Sequence, residues 1–278
     1  PVIGADIEDY NLAGGIKGDA AGWALDFNLG YGRNAIDYTV KNTLNATYGA
    51  ASPTTFNAGG LTYDQLTAAA HADRAFDVGL VEPLNVAVGL EYRREEFGMT
   101  AGEPKSYDRL ATAPTTVAGG SQGFPGFRPA NAGSFNRHNW SAYVDVEGKV
   151  TEGLSLGGAA RFEDYSDFGQ KTTGKLSARY DFSPAFALRG SVSSGFKAPA
   201  LQQQFFSYTA TNNVTSVVGG VTVTNLVESG KFRVTDAVAI SLGAKPLKPE
   251  TSMNYSLGGV LRLTGLEVTV DAYQINIK

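Results

Sequence analysis

Apolar and polar residues alternate with a period of two along most of this chain, the pattern of strands whose two faces meet different surroundings. The stretch from Lys175 to Lys197 carries it best. Leu176, Ala178, Tyr180 and Phe182 fall on one face, and Lys175, Ser177, Arg179 and Asp181 on the other. Ser183-Pro184 interrupts the run, since proline brings no N–H to a ladder and favours turns. Phe186, Leu188, Val192 and Phe196 then oppose Ala187, Arg189, Ser191, Ser193 and Lys197. A hairpin is predicted. Its second arm is longer than the roughly 5–6 residues usual for a soluble strand. It matches the roughly 9–11 tilted residues that cross a bilayer.

The same pattern recurs from end to end. An alternating run over Tyr10–Lys17 precedes a turn at Gly18–Gly22. Trp23, Leu25, Phe27, Leu29 and Tyr31 then form a stripe with an aromatic at each end, as an aromatic girdle would place them. At Arg33-Asn34 the phase flips, and Ile36, Tyr38, Val40 and Leu44 share a face, which predicts one long bulged strand from Trp23 to Leu44. Residues 45–73 read as a long loop holding a short helix over Tyr63–His71, with Thr62 as its cap. Arg74–Val81 returns as a strand, and after Glu82-Pro83 the stripe Leu84, Val86, Val88, Leu90 and Tyr92 follows. A second long loop covers 98–136. Trp140, Ala142, Val144, Val146 and Val150 are answered by Leu154, Leu156, Ala160 and Phe162. The third long loop, 198–250, includes a short helix over Thr235–Ala244. Met253, Tyr255, Leu257, Leu261 and Leu263 pair with Leu266, Val268, Val270 and Ala272, and a phase break at Ala272-Tyr273 reads as another bulge.

These segments make an all-β protein of about ten antiparallel strands running up and down. Short turns gather at one end and long loops at the other. Outer-membrane barrels sort their connections this way, with short periplasmic turns and long extracellular loops, and a Greek-key sandwich has no reason to do so. The first and last strands would carry unpaired edges, so further strands of a larger barrel are expected beside them.

Composition narrows the chemistry. The net charge of −4 over 278 residues, without a basic cluster, argues against nucleic acid. No window holds eighteen consecutive apolar residues, which excludes a spanning helix but not a barrel, whose alternation keeps mean hydropathy near neutral, here −0.14. The absence of cysteine excludes disulfides, zinc–thiolate sites and a cysteine nucleophile. His71 and His138 are the only histidines and neither has an i,i+4 partner, so no metal site is expected. No Gly-rich phosphate loop follows a strand and opens a helix, so no catalytic residue, cofactor or enzyme activity is assigned.

Charges recur on the polar faces. Arg93, Glu95, Arg161, Glu163, Arg179 and Arg189 are expected to line a polar lumen, or else to form cross-strand ion pairs without a ligand role. A dry sandwich core would not tolerate so many. In the long loops, Phe124, Phe127, Arg128, Gln203, Phe205 and Phe206 are the candidate ligand contacts, since aromatics and an arginine on loops can grip a ligand. The alternative is that these aromatics pack the loops against themselves.

One family shares these motifs. Gly190-Ser191-Val192-Ser193-Ser194-Gly195-Phe196-Lys197-Ala198-Pro199-Ala200-Leu201 resembles the barrel strand that leads into a long extracellular loop in TonB-dependent outer-membrane receptors. Leu247-Lys248-Pro249-Glu250 resembles the segment that opens their following strand, and Val270–Lys278 and Phe162–Gly169 are similar to neighbouring pieces. The resemblance implies a plugged barrel of the twenty-two-stranded class, in the outer membrane of a Gram-negative bacterium. Such a barrel imports a scarce, bulky small molecule, typically a ferric siderophore, sometimes cobalamin, haem or a carbohydrate. The expected partners are outer-membrane lipid, that ligand, and the TonB complex acting through the plug. No leader, plug or TonB box precedes Pro1, and no closing strand with a terminal aromatic follows, so residues 1–278 read as a partial barrel domain. A passive porin-like channel, or a soluble β-rich binding module whose stripes bury a protein core, are the alternatives.

Overall fold

The computed structural model describes residues 1–278, the side chain of Thr224 excepted. Its strands are β1 (Val2–Ala20), β2 (Trp23–Lys41), β3 (Thr55–Phe76), β4 (Leu84–Ala101), β5 (Gly133–Lys149), β6 (Leu154–Tyr165), β7 (Gly169–Ser183), β8 (Phe186–Lys197), β9 (Tyr208–Val218), β10 (Val221–Lys231), β11 (Glu250–Leu263) and β12 (Leu266–Ile277). Three short α-helices lie in the connections, α1 (Pro104–Tyr107), α2 (Leu201–Phe205) and α3 (Ala237–Ser241), with a 3-10 helix at Ala46–Ala51. Strands β1 to β8, then β11 and β12, form one antiparallel ten-stranded sheet in chain order. Strands β9 and β10 pair only with each other, inside the connection from β8 to β11. The first and last strands of the sheet, β1 and β12, are not paired together, so the barrel is not closed within this chain.

Connection lengths sort by end as expected, the three-residue turn 166–168 excepted. Ala21-Gly22, 77–83, 150–153, Pro184-Ala185 and Thr264-Gly265 join strands at one end, and 42–54, 102–132, 166–168 and 198–249 join them at the other. Ala21 and Gly22 have φ of 52° and 80°, the positive values that let a two-residue turn follow the twist of its strands.

Packing is inverted relative to a soluble protein. Leu12, Ile16, Phe27, Leu29, Leu90, Trp140, Leu176 and Leu257 are exposed on the outer face, so the stripes that begin at Trp23, Leu84 and Trp140 bury no protein core. Aromatic pairs border this apolar belt. Trp140 and Tyr92 stand 4.7 Å apart, and Tyr10 and Tyr31 6.1 Å apart, towards the long loops. Trp23 and Phe76, at 5.7 Å, and Phe182 and Phe186, at 5.5 Å, lie at the short-turn end. From Trp23 to Tyr31 the belt runs about 27 Å along the strand and about 20 Å along the normal at a tilt near 40°. Most buried apolar residues gather at the long-loop end, around Phe97, Met99, Phe127 and Leu201, while Ala187 and Val260 are buried near the short-turn end.

Three local expectations are corrected. Residues 63–71 are not helical and 55–73 are not loop, because all of these positions lie in β3. Ala68 is paired with Leu29 on one side and Tyr92 on the other. Two complete ladders outweigh the helix preference of the Thr67–His71 run, a few tenths of a kcal/mol per residue. The phase flip at Arg33-Asn34 is not a bulge either, since the β1–β2 register runs unbroken from Val2/Lys41 to Ala20/Trp23. Beyond the belt the surroundings exchange places. The outer side meets water, where Asp37 is exposed, and the inner side meets packed loops, where Val40 is 0% exposed. The break at Ala272-Tyr273 is likewise no bulge, because the β11–β12 register is continuous there. The true irregularities lie between Tyr38 and Thr39, where Ala58 is the extra residue of β3, and between Asp181 and Ser183.

Candidate functional site

The inner wall and the long-loop mouth above it form the candidate site. All six expected lumen residues lie on the polar face of the sheet. Their charges are satisfied chiefly by neighbours two positions along the same strand, which share a face by the two-residue period. Arg93 meets Glu91 at 2.7 Å, Arg161 meets Glu163 at 2.8 Å, and Arg179 meets Asp181 at 2.7 Å. Arg161 also reaches Glu91 across the sheet at 3.6 Å, and Tyr165 donates to Glu163 at 2.9 Å. Glu95 is held by Arg137 and by the Tyr63 hydroxyl. Arg189 reaches Asp271 at 2.6 Å. The wall is thus a ladder of paired charges, polar but largely self-neutralised.

The mouth is built from three long connections locked together. Asn45, fully buried, donates through Nδ2 to the carbonyls of Lys105 and Asp108, and Thr43 donates to that of Gln122, so the 42–54 and 102–132 connections are joined. Ser106, also buried, accepts at its carbonyl from the amides of Ser121 and Gly126. A Cβ at Gly126 would stand 2.0 Å from the Ser106 hydroxyl, so this close approach needs glycine.

The six candidate ligand contacts all help to assemble this mouth. Phe127 is 2% exposed and packs edge-on against Phe206 and Tyr208. Phe124 stacks on Tyr208, with centroids 5.7 Å apart, and Phe205 stacks on Phe135 at 4.4 Å. Arg128 donates to Glu228 at 2.6 Å and Thr211 at 3.0 Å, fastening the 102–132 loop to the β9–β10 hairpin. Gln203 accepts through Oε1 from the Ala200 amide, closing the start of α2.

Between the 102–132 loop and the hairpin lies a cleft of about 780 Å³. Tyr208, Asn212, Ser229 and Lys231 line one side, and Ser121 and Gln122 the other. Burial pushes the Tyr208 phenol above its ordinary pKa. Lys231 lies 6.0 Å over the Phe206 ring. These lining residues escaped the sequence reading because they sit in a stretch treated as plain loop. One signal did mark it. Gly219-Gly220 between two valine-rich runs is a hairpin signature, and both glycines have positive φ. Among the described residues, no group of His, Cys, Asp and Glu is arranged to hold a metal ion.

Comparison with known proteins places this arrangement. The family model described as TonB dependent receptor-like, beta-barrel, matches residues 4–278. The chain belongs to that family. TonB-dependent receptors are outer-membrane proteins of Gram-negative bacteria, and the relatives found are transport receptors. The vitamin B12 transporter BtuB of Vibrio cholerae serotype O1 is 37% identical over 71 residues, which cover 26% of this chain and 12% of that protein. The probable TonB-dependent siderophore receptor PirA of Acinetobacter baumannii is 28% identical over 118 residues, 42% of this chain and 14% of that one. Among solved structures, PirA of A. baumannii superposes with a TM-score of 0.63 at 18% identity, and the Pseudomonas aeruginosa ferric enterobactin receptor PfeA with 0.65 at 15%. Each superposition covers 99% of this chain and 35% of the receptor, so the chain spans about a third of those receptors' length.

Proposed function

We propose that this chain is the wall and ligand-receiving mouth of an outer-membrane active transporter that takes up a scarce, bulky small molecule, of the class that includes ferric siderophores, and is energised through TonB. The cleft between the 102–132 loop and the β9–β10 hairpin carries this reading. It opens where the long connections converge, above a polar charged wall and beside an apolar belt that faces lipid. Family membership supports active transport over a passive pore. In this reading the plug that couples to TonB lies outside residues 1–278, and this chain catalyses no reaction. The aromatics Phe124 and Phe206 and the cation of Arg128 support the cleft, while Tyr208, Lys231 and Asn212 meet the ligand.

The test is uptake of a labelled ferric siderophore by cells that carry the whole receptor, with and without TonB. Uptake that depends on TonB, with ligand binding weakened roughly tenfold by Tyr208→Ala through loss of one buried aromatic contact, is the expected result. Energy-independent passage of small solutes through the reconstituted protein would instead make it a passive channel.

A further inference from the structure

Arg137, near the long-loop end of β5, is enclosed at the mouth, with 4% of its side chain exposed. Its Nε and Nη2 both donate to Glu95 Oε2 on β4, at 2.9 and 2.6 Å. Its Nη1 donates to the Pro199 carbonyl at 2.8 Å and lies 3.5 Å from Asp167 Oδ2. The guanidinium also stands 5.5 Å from the centre of the Tyr165 ring. These partners come from the wall, from the 166–168 turn and from the start of the 198–249 connection. The set extends outward at both ends. Glu95 accepts from Tyr63 on β3, and Asp167 accepts from Gln204 on α2 at 2.9 Å.

One planar guanidinium with five donors can serve a carboxylate, a carbonyl and a second carboxylate at once, which a compact ammonium does poorly. In a buried setting each of these bonds is charge-assisted, and withdrawing the cation leaves Glu95 enclosed without its counter-charge. The connection that begins at Pro199 passes through α2 into β9, and β9 and β10 pair with no strand of the main sheet. The hairpin's position is therefore decided at its root and by side-chain fastenings.

We propose that Arg137 is a positioning residue, a clasp that fixes the root of the 198–249 connection to the barrel wall and thereby sets the pose of the β9–β10 hairpin over the cleft. Its bearing on ligand capture rests on the transport reading above, whereas the clasp itself is read without any ligand.

Residues 1–278 hold no cysteine. Nitroxide labels at Asn213→Cys on the hairpin and Asp164→Cys on the rim, in the whole receptor with any cysteine outside these residues replaced by serine, report one distance in lipid nanodiscs. With Arg137 in place the expected distance distribution is a single narrow peak. Arg137→Gln is expected to lose that peak to a broad distribution, and Arg137→Lys to recover it in part. A narrow peak unchanged in Arg137→Gln overturns the clasp. If Arg137→Gln does not fold, as judged by heat-modifiable migration on gels, the Glu95→Gln and Arg137→Gln pair leaves no unpaired charge at position 95 and carries the same two outcomes. A wild-type receptor with a narrow peak and no uptake would count against the transport reading and leave the clasp standing.

Discussion

Gly89 and Gly258 each stand between two side chains that belong to strands two apart. His71, Gly89 and Tyr143 share one row across β3, β4 and β5, and the His71 Nδ1 and the Tyr143 hydroxyl lie 3.0 Å apart. Arg189, Gly258 and Asp271 share another across β8, β11 and β12. A Cβ would come within 2.2 Å of the Tyr143 ring at Gly89, and within 2.0 Å of Asp271 Oδ1 at Gly258. A missing side chain is thus what lets each pair meet over the intervening strand. Gly89→Val should displace Tyr143 and lower stability by about 1–3 kcal/mol, the usual range for forcing volume into a packed site. Gly14→Val, on the lipid face with nothing within 4 Å of its would-be Cβ, should leave stability near the wild-type value. Urea titration of the protein folded into lipid vesicles measures both. The mouth offers a second test at this scale. Phe127→Ala should cost about 3–5 kcal/mol of local packing, a figure typical of a buried phenylalanine. Limited proteolysis should then cut the 102–132 loop while the barrel keeps its heat-modifiable migration.

At the scale of the element, depth in the membrane decides what a position tolerates. Leu90 lies on the lipid face within the belt, and Asp37 lies beyond it on the same side of the sheet. Leu90→Arg should destabilise by about 2–4 kcal/mol and Asp37→Arg by about 0–1, following the depth dependence of arginine on a lipid-facing strand. Equilibrium refolding into vesicles distinguishes the two. The same depth dependence explains which strands were legible in the sequence. Where lipid faces one side and the polar lumen the other, as over Trp23–Tyr31 and Lys175–Phe182, alternation gave the faces directly. Past the belt the apolar side turns inward without any change in the β1–β2 register, and Ile36, Tyr38 and Val40 mimic a bulge in β2. In β3 the row Ala68, Ala70 and Ala72 carries too little hydrophobic signal to outweigh its resemblance to a helix, and its pairing with β2 and β4 cannot be read locally. The loop aromatics were legible as a group, but their duties were not. Whether Phe124 packs or contacts a ligand depends on Tyr208, which is remote in sequence. Arg137 gave no signal at all, because its partners come from three separate stretches of chain, around Glu95, Asp167 and Pro199.

At the scale of the molecule, the sheet separates two kinds of surface with a single layer of backbone. The outer face presents large apolar side chains to lipid, and the inner face presents ion pairs whose members largely neutralise one another. A wall of this kind stays polar without concentrating charge of one sign, so it does not by itself select cations or anions by a strong field. On the proposed transport reading, selection falls to the mouth, where Lys231 lies beside neutral hydrogen-bonding groups. Lys231→Glu in the whole receptor should therefore weaken capture of an anionic ligand more than that of a neutral one of similar size. Binding titrations at two salt concentrations would show it, since the contribution of an exposed charge is screened as ionic strength rises.

The β9–β10 hairpin has a further consequence, for the order in which the sheet is assembled. Each main-sheet pairing joins strands consecutive in the chain, except that of β8 with β11, which must wait for the 198–249 connection, longer than 102–132, to close. Closing a flexible loop of roughly fifty residues costs about 3 kcal/mol more than closing a two-residue turn, on logarithmic scaling. A hairpin nucleated at Gly219-Gly220 forms locally within microseconds and brings the far parts of that connection together first. The segment left to close is then shorter, so the arm that borders the cleft in the finished protein also eases the longest closure in its sheet.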